Sequence, residues 1–207
     1  MKKRISIALL LSAIMATSNM TWAYPSSSYE TNNAIQYSNA QVALTMDMRK
    51  LWGDHTTYTR DYIVSVLGNL KDVVPVAKRL LKNQDDIGNA IKPYYGEAAG
   101  KKLSALLRNH ILITSQVIQA ANDNNKELLS EEENKWKTNA DEIAEFLSAT
   151  NSDWSRREIA DMLHKYLELT TAEISARLSM SWQDDIDNYD KNHTHMLVFS
   201  DMLTNGI

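Results

Sequence analysis

The chain has 207 residues, no cysteine, and 22 Lys and Arg residues against 26 Asp and Glu residues. Without cysteine it has no disulfides, thiolate zinc sites, cysteine-ligated iron–sulfur clusters or cysteine nucleophile. Three of the positive charges lie in a predicted leader, so the mature chain carries a net charge of about −7. This balance disfavours nucleic acid and anionic lipid as partners.

The N-terminus has the pattern of a secretory signal peptide. Basic residues 2–4 precede an apolar run over residues 5–16, and Thr21 and Ala23 suit the −3 and −1 positions of a cleavage site. The apolar run is shorter than the ~20 residues that a transmembrane helix needs. We therefore predict cleavage after Ala23, a secreted or periplasmic destination, and no membrane span afterwards. The alternative is that the leader stays as a membrane anchor.

The predicted mature chain begins with a short arm and continues as one domain. Residues 24–39 are rich in Ser, Asn and Tyr and lack periodicity, which is typical of a flexible N-terminal arm. A single helical-bundle domain is predicted over residues 40–207, because a chain of this length can bury one core. Its first long helix is expected over residues 40–69.

The next segment contains two prolines and predicts shorter pieces. One helix is expected to begin near Asp72, with Pro75 tolerated in its first turn. A second short helix is expected over residues 85–91. A bend at residues 92–96 then leads into a long helix that reaches about Ala121.

The second half of the chain determines the predicted fold class. Residues 101–205 contain no Gly or Pro, whereas a β-protein of this length needs turns built from them. Ser130 with Glu133, and Ser155 with Glu158, have the spacing of capping boxes that begin helices. Polar breaks between helices are predicted at residues 121–125, 150–153 and 179–181. We predict an all-α fold, a helical bundle of four to five long helices plus short helices.

Polar side chains interrupt the predicted apolar faces of these helices. His55, His110 and His193 fall within apolar stripes at helical spacing. Asn139 lies at the edge of another such face, with Asp141 beside it. His164 and His195 fall outside the stripes. The pattern predicts a ligand-binding site or a buried polar network inside the bundle.

Imidazoles that face one bundle interior allow three interpretations. In the first, His55 and His110 bind a divalent metal ion or another cofactor, because bundles build such sites from facing helices. In the second, the imidazoles, Asn139 and neighbouring hydroxyls form a hydrogen-bond network that selects helix pairs. In the third, a buried His and a carboxylate act as acid and base on an unknown substrate. The Glu-x-x-His pairs of carboxylate-bridged di-iron proteins are absent from the sequence, which favours the second.

Several short motifs are distributed along the predicted mature chain. They are Leu51-Trp52-x-x-His55 leading into Thr59-Arg60, Leu106-Leu107-x-x-His110, Trp136 with Asn139-Ala140-Asp141-x-Ile143-Ala144, Met162-Leu163 before Leu167 and Thr170, and Asp201-x-Leu203-x-x-Gly206-Ile207. Together these motifs resemble a family of small exported bacterial all-helical proteins without an assigned activity. The resemblance runs from Leu51 to the last residue and implies an exported helical protein. It also implies that a histidine is common where this chain has Tyr166.

Arg60 is part of the motifs that carry this resemblance, and we treat it as a candidate site residue. On a helix it lies next to the His55 face, where we expect it to pair with Asp141, Glu142 or Asp201, or to hold an anionic ligand. The sequence shows no nucleophile motif and no phosphate-binding loop. It therefore favours a protein that binds an unknown small ligand, ion or protein, without catalysis.

Overall fold

The computed structural model describes residues 38–207, which belong to one compact unit. This part of the chain forms α1 (Asn39–Leu67), α2 (Val73–Asn122), α3 (Lys126–Thr150), α4 (Arg156–Leu178) and α5 (Trp182–Asn205). Helices account for 89% of it and no strand is present in it, which confirms the all-α fold class. The predicted signal peptide and nearly all of the predicted arm lie outside the described residues. Ser38, at the end of that arm, caps α1.

α2 consists of two antiparallel segments joined at Gly96. Gly96 has φ 84° and ψ 169°, a conformation that is accessible almost only to glycine. Arg108 in the second segment donates a hydrogen bond of 3.0 Å to Asp85 in the first. The segments touch through small residues, since a Cβ on Gly100 would lie 2.5 Å from the carbonyl oxygen of Gly88. The chain therefore reverses within a single residue.

Two predictions about helix boundaries were wrong. The predicted bend at residues 92–96 is confirmed, but the short helices expected near Asp72 and over residues 85–91 form one uninterrupted segment, 73–95. Ser130 does not begin a helix. α3 begins four residues earlier because the side chain of Asn125 accepts a hydrogen bond from the backbone N–H of Leu128.

The other predicted breaks are confirmed. Asn69, Asn124 and Met180 have positive φ angles of 49°, 52° and 59° in the three turns at one end of the bundle. The turn between α3 and α4 lies at the opposite end, and Ser155 caps α4 by accepting from the N–H of Glu158. Hydrogen bonds from Asn151 and Trp154 tie this turn to the C-terminal residues.

Consecutive helices pack against one another, and α1 also packs against α5, which closes the bundle. α1 and α4 meet across the interior. The largest side chains that are fully buried there are Trp52, Trp136, Tyr166 and Phe199. Within residues 38–207, no helix has a stretch long and apolar enough to cross a bilayer.

Candidate functional site

Tyr166 of α4 lies between the two histidines that the sequence singled out. Its ring centroid is 5.3 Å from that of His55 on α1 and 5.9 Å from that of His110 on α2. All three side chains are at most 2% exposed. The structure thus brings together three of the residues that the sequence singled out, His55, His110 and Asn139. We call the imidazole cluster the set His55, Gln84, His110, Trp136, Asn139 and Tyr166.

The protonation of His110 follows from its partners. The indole N–H of Trp136 can only donate, and it lies 2.9 Å from Nε2 of His110, which must therefore accept. Nδ1 of His110 consequently carries the proton and donates to Oδ1 of Asn139 at 2.9 Å. The amide nitrogen of Asn139 donates to the carbonyl oxygen of Leu106. Both nitrogens of this imidazole are therefore used.

His55 has the same arrangement with different partners. The amide nitrogen of Gln84 donates to the carbonyl oxygen of Leu80, so Oε1 of Gln84 faces Nδ1 of His55 at 3.2 Å and accepts its proton. The hydroxyl of Tyr166 then donates to Nε2 of His55 at 2.9 Å. The Oγ1 of Thr59 lies 3.4 Å from the same hydroxyl. His55 is thus also neutral with both nitrogens occupied.

Burial explains the acid–base properties of the imidazole cluster. Desolvation, reinforced by the nearby His110, lowers the pKa of His55 to about 3. Desolvation lowers the pKa of His110 to about 4, against the opposing effect of the hydrogen bond that His110 donates to Asn139. It also raises the pKa of Tyr166 to about 12. None of these three groups is poised to exchange protons near neutral pH, where general acid–base catalysis needs it.

The imidazole cluster does not fit a divalent metal ion. A metal binds the lone pair of a neutral imidazole nitrogen, and in His55 and His110 that lone pair accepts a hydrogen bond from Tyr166 or Trp136. Coordination would strand the hydroxyl of Tyr166 or the indole N–H of Trp136 inside the core. Within residues 38–207 no group of three or more His, Asp or Glu residues is arranged to hold a metal ion.

A second polar cluster lies further along α1 and α4. Both terminal nitrogens of Arg60 bind the carboxylate of Asp185, at 2.9 and 3.1 Å, and one of them also binds Glu173 at 2.8 Å. Arg177 binds the same carboxylate of Asp185 at 2.9 Å. The carboxylate side chains are 2% exposed and the arginine side chains 19% and 24%. We call these four residues the arginine–carboxylate cluster, in which two positive charges face two acidic groups.

Glu173 is the acidic group that this cluster leaves less well compensated. Asp185 receives hydrogen bonds from two arginines, whereas Glu173 receives one from Arg60. Desolvation raises the pKa of Glu173 to about 7 against the opposing attraction of Arg60. The carboxyl of Glu173 therefore gains or loses its proton near neutral pH, although its side chain has almost no contact with solvent.

The predicted partners of Arg60 were wrong. Asp141 pairs instead with His164 at 2.9 Å, and both side chains are about half exposed, so Asp141 lies outside the imidazole cluster. Asp201 pairs with Arg49 on the surface. Arg60 points away from both because its position on α1 faces the start of α5. Sequence spacing located Arg60 beside His55 but could not show which helix lies opposite.

The buried face of α5 differs from the predicted one at its start. Trp182 and Ile186 belong to the same apolar stripe as His193 and are predicted from this spacing to face inward, yet they are 52% and 46% exposed. Asp185 and Asn192 are buried instead, and the amide of Asn192 donates to the hydroxyl of Thr170 on α4. Two polar residues thus occupy the buried face of α5, where the helical spacing predicts apolar residues.

The remaining histidines make single contacts between helices. His193, predicted inward, is half-buried and its Nδ1 lies 2.7 Å from Oγ1 of Thr56. Nε2 of His195 donates to the carbonyl oxygen of Met162 on α4 at 2.8 Å. These contacts join α5 to its neighbours and involve no cluster of titratable groups.

Sequence analysis missed six residues of the two clusters, namely Gln84, Trp136, Tyr166, Glu173, Arg177 and Asp185. A signal existed for Glu173, because it follows Tyr166 and Thr170 at helical spacing on one face of α4. Gln84 and Asp185 are polar residues that nothing in their local sequence distinguishes from exposed ones. Only the packing of α2 and α5 against α1 places them inside.

Several grooves are present on the outside of the bundle; two are lined in part by Trp136 or Asn139 of the imidazole cluster, and others lie away from both clusters. One of about 310 Å³ lies between the first turns of α1 and the end of α5, where Val42, Met46, Arg49 and Asp201 line it. Met46 is 67% exposed there. Comparison of the chain with protein-family models, curated proteins and solved structures gives no match.

Proposed function

We propose that the mature chain is an exported helical-bundle protein that acts by binding a partner or ligand on its outer surface, without catalysis. The observation that carries the proposal is the occupancy of the imidazole cluster. Both nitrogens of His55 and both nitrogens of His110 are hydrogen-bonded to protein groups. Polar groups satisfied in this way hold specific helices together and leave nothing over for a ligand.

The outer surface of the bundle has features that suit the binding of a partner. Large apolar side chains are exposed on several helices, among them Met46, Leu112, Trp182 and Val198. The net negative charge of the mature chain adds a preference for basic or neutral partners. Both features favour recognition of another molecule at the surface of a rigid bundle.

The two alternative functions have less support. A metal-ion or cofactor bundle centred on His55 and His110 would have to break the hydrogen bonds of Tyr166 and Trp136. An acid–base enzyme would find its best candidate in Glu173, whose pKa is about 7. That carboxyl is 2% exposed and is held by Arg60, so a substrate would need to enter the core to reach it.

The metal alternative is tested on the untagged mature protein. Native mass spectrometry and elemental analysis should give the mass of the bare chain and less than about 0.1 metal ion per molecule. One bound ion per chain in the parent that is lost in His55→Ala and His110→Ala would overturn the proposal in favour of a metal site.

The binding function is tested by site-specific photo-cross-linking in the exporting cell. A cross-linker placed at exposed positions on each helix should give an adduct of discrete mass from at least one face. The interior variant Tyr166→Phe, provided that it folds, should give the same adduct as the parent. Absence of an adduct from every face, or its loss in folded Tyr166→Phe, contradicts binding at the outer surface.

A further inference from the structure

Four large apolar side chains are exposed where α4 turns into α5. Leu178, Met180, Trp182 and Ile186 are 37%, 71%, 52% and 46% exposed, and they fall within nine consecutive positions. We call these four residues the α4–α5 corner. Single exposed apolar residues are ordinary, but such a concentration in one turn is typical of an interaction surface.

Met180 occupies a backbone position that does not suit it. The corresponding positions in the two neighbouring turns hold Asn69 and Asn124, a residue type that tolerates a left-handed conformation. Met180 has φ 59° there and points into solvent without compensating burial. A locally unfavourable residue with no structural benefit indicates a functional requirement at that position.

Trp182 is held in place by contacts that lead into the core. The guanidinium of Arg177 lies 5.3 Å from the centre of the Trp182 ring. The same guanidinium binds Asp185, which is buried and also held by Arg60. An exposed aromatic side chain that is fixed before binding loses little entropy when a partner covers it, which is the property of an interface anchor.

The surface next to the α4–α5 corner is acidic. Three aspartates in the first half of α5, Asp184, Asp187 and Asp190, are exposed, and this half of the helix contains a single lysine and no Arg or Glu. Asp190 lies one helical turn after Ile186, on the same side of α5, and Asp187 directly follows Ile186 in the sequence. Both aspartates are exposed. Within residues 38–207, neither Asp187 nor Asp190 takes part in a salt bridge. The carboxylates are therefore available to positive charges from outside.

We infer that the α4–α5 corner docks a basic amphipathic helix of a partner protein, with apolar residues of that helix against Trp182 and Met180 and its Lys or Arg residues opposite Asp187 and Asp190. The inference rests on the proposed binding function and names its surface. Charge complementarity selects this occupant. An anionic membrane, or a second copy of the same acidic helix, would meet repulsion at these aspartates.

The test uses three defined helical peptides of about 18 residues. All carry the same leucine face, and the remaining positions are Lys, Glu or Gln. The Leu/Lys peptide should bind the mature protein and shift the fluorescence of Trp182, the exposed tryptophan among three buried ones, Trp52, Trp136 and Trp154. The Leu/Glu peptide should not bind, and the Leu/Gln peptide should bind weakly. Equal binding of all three, or no binding of the Leu/Lys peptide, overturns the inference.

Matched variants locate the site. Trp182→Ala should weaken binding of the Leu/Lys peptide at least about ten-fold. Val198→Ala changes a residue of similar exposure on the same helix and should have no effect. Asp187→Asn with Asp190→Asn should weaken binding at low salt, whereas Asp47→Asn, at an exposed position on α1, should not. Equal losses in the variants and in their controls contradict the inference.

Met180→Asn gives a signature that a general loss of folding cannot imitate. Asn suits the left-handed position, so this variant should melt at a higher temperature than the parent while binding the Leu/Lys peptide more weakly. A variant that is more stable and binds as well as the parent contradicts the functional role of Met180.

Three further measurements distinguish other occupants and other binding surfaces. A shift of Trp182 fluorescence on vesicles of phosphatidylcholine, alone or mixed with anionic phosphatidylglycerol, that exceeds the shift with the Leu/Lys peptide would assign the corner to lipid and overturn the inference. A dimer that dissociates in Trp182→Ala would assign it to a second copy. An in-cell cross-link from a different face, with none from this corner, would contradict this inference while leaving the proposed binding function in place.

Discussion

The indole N–H of Trp136 donates a hydrogen bond to Nε2 of His110 across 2.9 Å, and both side chains are at most 2% exposed. Because an indole has no acceptor, this contact alone determines the tautomer of the imidazole. It also joins α3 to α2 at the point where Asn139 of α3 accepts from the other ring nitrogen. The pair thus selects which helices pack together and which protonation state of His110 is compatible with folding.

Trp136→Phe should destabilise the protein by about 1–3 kcal/mol beyond the loss of ring area, because Nε2 of His110 is left buried without a donor. Thermal and denaturant melts measure this change. Trp182→Phe is the matched control, because Trp182 is half exposed and removal of its indole N–H leaves no buried acceptor without a donor. Equal effects of the two substitutions would show that the hydrogen bond of Trp136 contributes nothing measurable.

His55→Ala and His110→Ala should each lower the free energy of unfolding by about 1–3 kcal/mol, because each strands buried partners. The double variant should lose less than the sum, since the two imidazoles share contacts with Tyr166. Melts with and without a chelator provide the measurement, and the chelator should have no effect on the parent. His164→Ala is the control and should cost less than about 1 kcal/mol, because its pair with Asp141 is on the surface.

Asp185→Asn should destabilise the protein by about 3–5 kcal/mol, because it leaves Arg60 and Arg177 facing a neutral side chain in a largely buried site. Asp201→Asn breaks the surface pair with Arg49 and should change the free energy of unfolding by less than about 1 kcal/mol. Denaturant titrations of the two variants give the comparison. Similar small losses in both would mean that burial adds little to the arginine–carboxylate cluster.

Stability should fall as the pH is lowered from 6.5 towards 4. The pKa values of His55 and His110 are lowered to about 3 and about 4 in the folded state, so the unfolded chain binds two more protons in this window. The pKa of Glu173 is raised to about 7, so its contribution is full below pH 4.5 and is lost as the pH rises to 7. The two effects oppose each other between pH 4.5 and 6.5. In this range the unfolded chain binds two more protons at the histidines and one fewer at Glu173, so it binds one more proton than the folded protein in total.

Glu173→Gln removes the opposing contribution and should roughly double the slope of stability against pH in that window, from one net proton to two, each about 1.4 kcal/mol per pH unit. Denaturant unfolding at a series of pH values measures the slope. Glu168→Gln, an exposed change on the same helix, should leave it unaltered. An unchanged slope in Glu173→Gln would contradict the raised pKa of Glu173.

The exported form should begin at Tyr24, because Thr21 and Ala23 suit the cleavage pocket. Intact mass of the protein recovered from the exporting cell measures this directly. A mature chain that retains Met1, or one cut beyond Asn39, would show that the leader was assigned wrongly.

Most of the fold was predictable from local signals. The run without Gly or Pro over residues 101–205 required helices, and the polar breaks at residues 121–125, 150–153 and 179–181 located their turns. Local signals failed at Ser130, whose capping pattern is overridden by Asn125 five residues upstream. Competing caps cannot be ranked without knowing which residues the helix must bury.

The candidate site was predictable in part. His55, His110 and Asn139 could be found because polar residues at apolar spacing are rare and conspicuous. Tyr166 belongs to the apolar stripe of α4, so its position between the two histidines was not predicted. The partners of Arg60 were wrong because carboxylates are frequent, and spacing along one helix does not identify the helix that faces it.

The sequence by itself determined the helical class, the position of the turns and the inward orientation of His55, His110 and Asn139, because these depend on backbone propensity and on the period of the helix. The tertiary structure decided that Gly96 reverses α2, that Arg60 meets Asp185 rather than Asp141, and that Trp182 is exposed while Asp185 is buried. Those outcomes depend on the rotation and order of whole helices around one core. Such long-range packing is set by all the buried surfaces together and has no local code.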